Sequence, residues 1–209
     1  MIRTLTLNIL CFFSMSLVPL HDATAFAMDA DDRYITNWEA LKRVVKNYKK
    51  GINNQKNIKY AKEAEARGKA AFLKGDYAKA DYRGYGDAIA WIPRPEYYFI
   101  VGDLNMRSKL SLHTDSPYST PQYKACWDKY LFALDVEKSV GSLFETGFSL
   151  TAELDLSATK NSKIYQQALT NAACFARLTS KYSEGVGPQC VPVEEVKSCL
   201  GSPLLFLYH

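Results

Sequence analysis

Residues 61–103 read AKEAEARGKAAFLKGDYAKADYRGYGDAIAWIPRPEYYFIVGD, and their punctuation decides the fold. Small residues recur at Ala61, Ala64, Gly68 and Ala71, three or four apart, which is one stripe of a helix. Gly75-Asp76-Tyr77 marks a turn, with glycine ending one helix and aspartate capping the next. Ala80, Tyr85, Ala88, Ile89 and Trp91 carry the periodicity on until Pro93 and Pro95 stop it and open another helix. An Ala/Gly stripe leaves little bulk between two helix axes. The stretch therefore predicts an antiparallel hairpin whose helices cross closely, with Gly68 facing Ala80.

Helical spacing continues on both sides. Thr36 and Glu39 form a T-x-x-E capping box, followed by Trp38, Leu41, Val44, Val45 and Tyr48 and ended by Gly51 and Asn53-Asn54. The next helices are predicted at about 55–74, 77–91 and 96–111. A turn-rich segment, SLHTDSPYST, fills 111–120. A fifth helix capped by Thr120 is predicted through Val140. A sixth starts at a Ser142/Glu145 capping box, and a seventh covers about 160–182 and ends at Gly185. Pro192 opens a short one reaching Cys199, and the apolar Leu204–Leu207 tail is predicted to dock on the core. No segment alternates as a strand does. The fold class is all-α: seven to eight helices in antiparallel hairpins, stacked as an array or a bundle.

Gly68 and Gly102 are 34 residues apart in this numbering, the period of a tetratricopeptide repeat. Residues 61–103 resemble one such repeat and the start of a second. Gly68 and Ala80 match the small residues where the family's helices cross, Gly75-Asp76-Tyr77 resembles its turn, and Pro93 its final proline. The spacing departs by one residue after Ala80, so Ala88 and Pro93 fall one late. Lys109-Leu110-Ser111 stands where a second turn signal belongs, and no third copy is visible. The resemblance implies a stacked helical hairpin used for binding, with ligands along a face formed by the first helix of each pair. The competing reading is an unrelated bundle with one close crossing.

The first residues read as an address. Arg3 precedes an apolar run, Ile9 to Leu20, too short to span a bilayer comfortably, and Ala25-Phe26-Ala27 fits a cleavage site. A cleaved signal peptide at 1–27 is therefore predicted, with a short membrane anchor as the competing reading. Residues 28–209 form a single helical domain, 61–110 its tetratricopeptide-like part and 121–209 its cysteine-containing part. No later apolar stretch approaches membrane-spanning length, and the expected location is the periplasm or outside the cell. Beyond the signal lie Cys126, Cys174, Cys190 and Cys199. An even number in an oxidising compartment predicts two disulfides rather than a zinc site. Cys190 with Cys199 and Cys126 with Cys174 are the expected pairs.

The net charge of +4 conceals an asymmetry. Between Leu41 and Lys74 basic residues dominate, opposed only by Glu63 and Glu65, whereas 122–158 is mildly acidic. The basic half reads either as an anion-attracting surface or as a solvated face. Catalytic signals are sparse. His113-Thr114-Asp115-Ser116 holds suitable residue types, but triads are assembled in space rather than along the chain. No phosphate loop or metalloprotease motif occurs, and no metal or cofactor is expected. The candidate ligand-binding residues are Lys62, Arg67 and Lys69 on the helix that would line the binding face, with Tyr82, Arg83, Arg94 and Tyr97 beyond it. Rings beside cations can grip a peptide or stack on a sugar, and arginine holds a carboxylate by two bonds. Tyr85, Trp91 and Tyr98 read as core, Tyr82 and Tyr97 as surface.

These readings predict an exported, non-enzymatic module of the cell envelope that binds a protein or peptide, an acidic one among the candidates, and no nucleic acid. An exported inhibitor or immunity-type protein that blocks an enzyme through a stapled loop at 111–120 or 185–192 is the alternative. A third reading is an envelope glycan hydrolase, which requires convergent carboxylates in a cleft or a buried His113.

Overall fold

The computed structural model describes residues 38–117, 120–183 and 190–208. The expected signal peptide, Thr36 and Gly185 lie outside them. Helix α1 (Trp38–Ile52) buries Leu41 and Val44. Asn54 caps α2 (Gln55–Phe72), its side chain accepting from the Lys56 and Asn57 amides. Gly75, at φ +76°, closes α2 in the left-handed region that glycine enters without a Cβ clash. Asp76 then accepts from the Lys79 amide and starts the next helix.

Helix α3 occupies 77–91 in three segments. Tyr77–Ala80 is α-helical, Asp81–Tyr85 is a π-helical turn, and Gly86–Trp91 is α-helical again. A π turn closes i→i+5 bonds and so takes up one residue more than an α turn. That turn begins directly after Ala80 and shifts the phase of every later residue of α3. The close crossing with α2 is present, but one turn later than expected. A Cβ on Gly84 would overlap the Gly68 backbone, and one on Gly68 would lie 2.9 Å from the Tyr85 ring. Gly84, not Ala80, is the glycine that meets Gly68, because the widened turn carries it onto the crossing.

Helix α4 (Pro95–Asp115) is the centre of the molecule. Every residue from Tyr97 to Leu104 is buried, and a helix buried on all sides shows no polar stripe. It runs through Ser111 to Asp115, so the first half of the expected 111–120 loop is helix.

Beyond it the predicted boundaries change. Thr120 caps α5 (Pro121–Ala125), but a strand β1 (Cys126–Asp128) then interrupts the expected fifth helix. Asp128 accepts from the Tyr130 and Leu131 amides and starts α6, a single rod over 129–153. Its segments are Lys129–Val136, a π-helical Glu137–Phe144 and Glu145–Glu153. Ser142 therefore caps nothing, and its hydroxyl donates to the Glu137 carbonyl. The rod crosses α4 through reciprocal gaps: Phe144 packs over Gly102, and Phe99 over Gly147. A short α7 (Ser157–Lys160) precedes α8 (Lys163–Ser183). Strand β2 (Cys190–Pro192) pairs antiparallel with β1, Trp127 opposite Val191. Helix α9 (Val193–Leu200) and a 3₁₀ turn, Leu204–Phe206, complete the described chain.

The fold is all-α apart from this two-stranded ladder, and its two disulfides lie in the second half. The pairing differs from the expected one: Cys126 joins Cys190, and Cys174 joins Cys199, each with Cα atoms 5.4 Å apart. Cys190 and Cys199 lie at opposite ends of the β2–α9 segment, with about 9 Å of helical rise between Val193 and Cys199. The ladder instead brings Cys190 diagonally across from Cys126, and α9 lays Cys199 against Cys174 on α8.

A polar clasp fixes the tail. Asp103, wholly buried, accepts from Arg107 Nε at 2.9 Å and from the Leu204 amide at 3.2 Å. Arg107 also donates to the Leu200 and Gly201 carbonyls, and Asn171 to Leu200. Leu204 and Leu205 are buried, so the tail docks on the core as its apolar character predicted.

Candidate functional site

Positions 62, 65, 66 and 69 lie at i, i+3, i+4 and i+7 on α2, a spacing that gathers them on one face. Lys62, Glu65, Ala66 and Lys69 form one wall of a cleft of about 670 Å³. Arg94 and Glu96, at the start of α4, form the second wall. Ala158 on α7, Ser162, Ile164 and the tail residues Leu207 and Tyr208 close it.

Three of the predicted ligand-binding residues, Lys62, Lys69 and Arg94, thus converge from segments far apart in the chain. Arg67 does not join them. Two residues from both Glu65 and Lys69, it is turned roughly 200° around the helix and faces α3. There Nε donates to the Arg83 carbonyl and the guanidinium pairs with Asp87 at 3.1 Å. It braces the hairpin. Tyr82 is 57% exposed with Arg83 over its ring at 5.1 Å, and neither lines the cleft. Tyr97 was expected at the surface. It is 2% exposed because α4 is buried all round from Tyr97 to Leu104, and its ring packs against Tyr208 of the cleft lining. Tyr85 and Tyr98 are core, whereas Trp91 is partly exposed and packs on Tyr60, centroids 4.8 Å apart.

The polar pattern is unequal. Each carboxylate is already engaged: Glu65 accepts from the Tyr97 hydroxyl at 3.1 Å, and Glu96 from Thr159 at 2.6 Å. Among the described residues no salt bridge involves Lys62, Lys69 or Arg94. The Arg94 Nε is buried with no hydrogen-bond partner. Burial works against the charge of Arg94, and the neighbouring Glu96 carboxylate favours it. Burial, reinforced by Tyr208 and Glu65, pushes the Tyr97 phenol far above its ordinary value. The Tyr48 and Tyr208 phenols are also raised, chiefly by burial. These phenols stay neutral, so the fixed charges of the cleft are three cations and two engaged carboxylates.

Sequence reasoning missed Glu96 and Tyr208. Glu96 is an ordinary first-turn acid, and nothing local says where the tail docks.

A second, smaller cleft of about 340 Å³ lies between α4 and α6, beside β1. His113 is buried there, its Nε2 3.0 Å from the Cys126 carbonyl and its ring stacked on Trp127 at 5.2 Å. A carbonyl only accepts, so Nε2 carries the proton and is committed to the fold. Lys109 pairs with Asp135 at the same edge, 3.6 Å apart.

Among the described residues no group of three or more His, Cys, Asp or Glu could hold a metal ion, and no helix is long and apolar enough to cross a membrane. Comparison with protein-family models, curated proteins and solved structures finds no match.

Proposed function

We propose that the chain is an exported binding module whose ligand is an acidic segment of a protein or peptide held in the α2–α4 cleft. The convergence of Lys62, Lys69 and Arg94 on one cleft carries this reading. Opposite charges brought together in a partly desolvated site are worth more than the same pairs at an open surface. Both acids of the cleft have local donors, which leaves the cations for a ligand. Two disulfides fit an oxidising compartment, in keeping with export and a location in the periplasm or outside the cell. The antiparallel α2–α3 hairpin with its close glycine crossing is the unit that resembles a tetratricopeptide repeat.

One observation favours the inhibitor reading as a second choice. The Cys126–Cys190 bridge and the β1–β2 ladder tie together the segments that adjoin 111–120 and 185–192. The exposed Leu112, Tyr123, Tyr130 and Leu131 lie near that staple in sequence. A partner seated there would use the second half of the molecule.

Affinity capture from envelope extract separates the two readings. Wild-type chain and the Lys62→Glu/Lys69→Glu variant are compared by mass spectrometry of what each retains. The cleft reading expects partners that the variant loses. Equal retention of the same partners by both proteins moves the site to the stapled half.

A further inference from the structure

The tail that closes the cleft is held unevenly. Leu204 and Leu205 are buried, and the Leu204 amide is fixed by Asp103. After the 3₁₀ turn, closed by the Leu207 amide on the Leu204 carbonyl, Leu207 and Tyr208 are only half-buried. Among the described residues no backbone hydrogen bond holds Tyr208. Its ring stands edge-on to Tyr97, centroids 5.6 Å apart, and it shares the cleft lining with Arg94.

We propose that Tyr208 is a resident occupant of the cleft, filling the slot that an aromatic residue of an acidic peptide takes when the peptide binds. The proposal rests on the reading of the cleft as an acidic-peptide site. Three observations carry it. First, an aromatic slot against Tyr97 exists and is filled by a side chain whose own backbone is not tied down. Second, Arg94 beside that slot has a buried Nε without a partner. A neutral phenol suits a guanidinium less well than a carboxylate, which makes short charge-assisted bonds. Third, Lys62 and Lys69 flank the same cleft without ion pairs. A ring with a carboxylate on either side therefore matches the site better than the tail does. The tail acts as a built-in competitor, and apparent affinity falls by the fraction of molecules in which it is seated.

The test titrates the full chain with acetyl-Glu-Tyr-Glu-amide, acetyl-Glu-Ala-Glu-amide and inorganic phosphate by calorimetry. Wild type, Tyr208→Ala and Tyr208→Phe are compared. Tyr208→Ala should bind the tyrosine peptide about five- to tenfold more tightly than wild type, the gain from removing a competitor seated in most molecules. Tyr208→Phe, which keeps the ring, should behave as wild type, and the alanine peptide should gain less. In wild type, adding the tyrosine peptide should move the Tyr208 ring resonances toward those of a free tyrosine; this readout does not depend on a variant folding. If wild type binds the peptide and neither effect occurs, Tyr208 is not an occupant and the cleft reading stands. Phosphate binding as tightly as the tyrosine peptide overturns the aromatic part of the proposal. If no protein binds either peptide, the cleft reading falls and the proposal falls with it.

Discussion

The two halves of this molecule solve the problem of holding helices together in opposite ways. In the α2–α3 hairpin, Gly68 and Gly84 bring two backbones into direct contact. No disulfide assists, and the outward stripe of α2 is left free to carry cations. From β1 to α9 the chain is covalently stapled, through Cys126–Cys190 and Cys174–Cys199. Its rod α6 crosses α4 by seating phenylalanine rings over glycines, Phe144 over Gly102 and Phe99 over Gly147. The difference bears on function: α2 buries only small residues, Ala61, Ala64, Gly68 and Ala71, and spends none of its lysines on the core. Between the halves runs α4, buried all round from Tyr97 to Leu104. It contributes Arg94 and Glu96 to the cleft and Asp103 to the tail clasp.

The largest effect should come from the staples. The Cys126–Cys190 bridge closes a separation of 64 residues and Cys174–Cys199 one of 25. Chain-entropy reasoning then puts their contributions at about 4 and 3.5 kcal/mol. Urea unfolding of Cys126→Ala/Cys190→Ala and Cys174→Ala/Cys199→Ala checks the size. Peptide mapping of unreduced protein checks the pairing. A Cys190–Cys199 peptide would break the description of the second half.

The hairpin should answer to a single methyl group. Gly84→Ala puts a Cβ into the Gly68 backbone, which cannot yield without moving α2, and should cost about 1–3 kcal/mol by overpacking. Gly68→Leu should do the same against the Tyr85 ring. Gly141→Ala is the contrast, since the nearest atom to its Cβ is Glu137 Cγ at 4.0 Å. It should gain about 0.5–1 kcal/mol from reduced backbone entropy. Thermal melts that rank the three alike would remove the distinction between a crossing glycine and an idle one.

A smaller, pH-dependent effect should mark the clasp between the halves. Burial raises the Asp103 carboxyl above its ordinary value, although Arg107 and the Leu204 amide oppose it. Between the unfolded and the raised folded pKa the native state holds more protons than the unfolded chain, so this contribution to stability grows as pH falls. Asp103→Asn lacks that term. Its melting temperature relative to wild type should therefore drop as pH is lowered from 7 toward 4. A constant difference would mean that Asp103 titrates as an exposed acid.

Much of the first half could be read in advance. Gly75-Asp76 marked the turn by conformational freedom and capping, which are local effects, and the tail was recognised as a docking segment by its run of leucines. The π turn carries no local signal, because an extra residue in a helix changes phase without changing composition. The second half resisted. A three-residue strand carries too little alternation to distinguish it from helix, so the expected fifth helix runs through β1, and the expected Cys126–Cys174 bridge between two long helices rests on it; the expected Cys190–Cys199 pair rests instead on their closeness in sequence. The cleft was half visible. Lys62, Lys69 and Arg94 were singled out by charge, but Arg67 was grouped with them although its helical phase turns it toward α3. Tyr97 was placed outside because α4 has no polar face to reveal its burial. Glu96 and Tyr208 depended on tertiary docking that no local signal encodes.

The central claim is that acidic ligands bind to the basic hairpin side of the molecule rather than to the stapled side. Amide chemical-shift mapping of the full chain with acetyl-Glu-Tyr-Glu-amide tests it most directly. The account predicts shifts at residues 62–69, 94–97 and 207–208, reduced at high salt and lost in Lys62→Glu/Lys69→Glu with the melting temperature unchanged. Shifts clustered at Lys109, His113 and Trp127, or none at any residue, would contradict it.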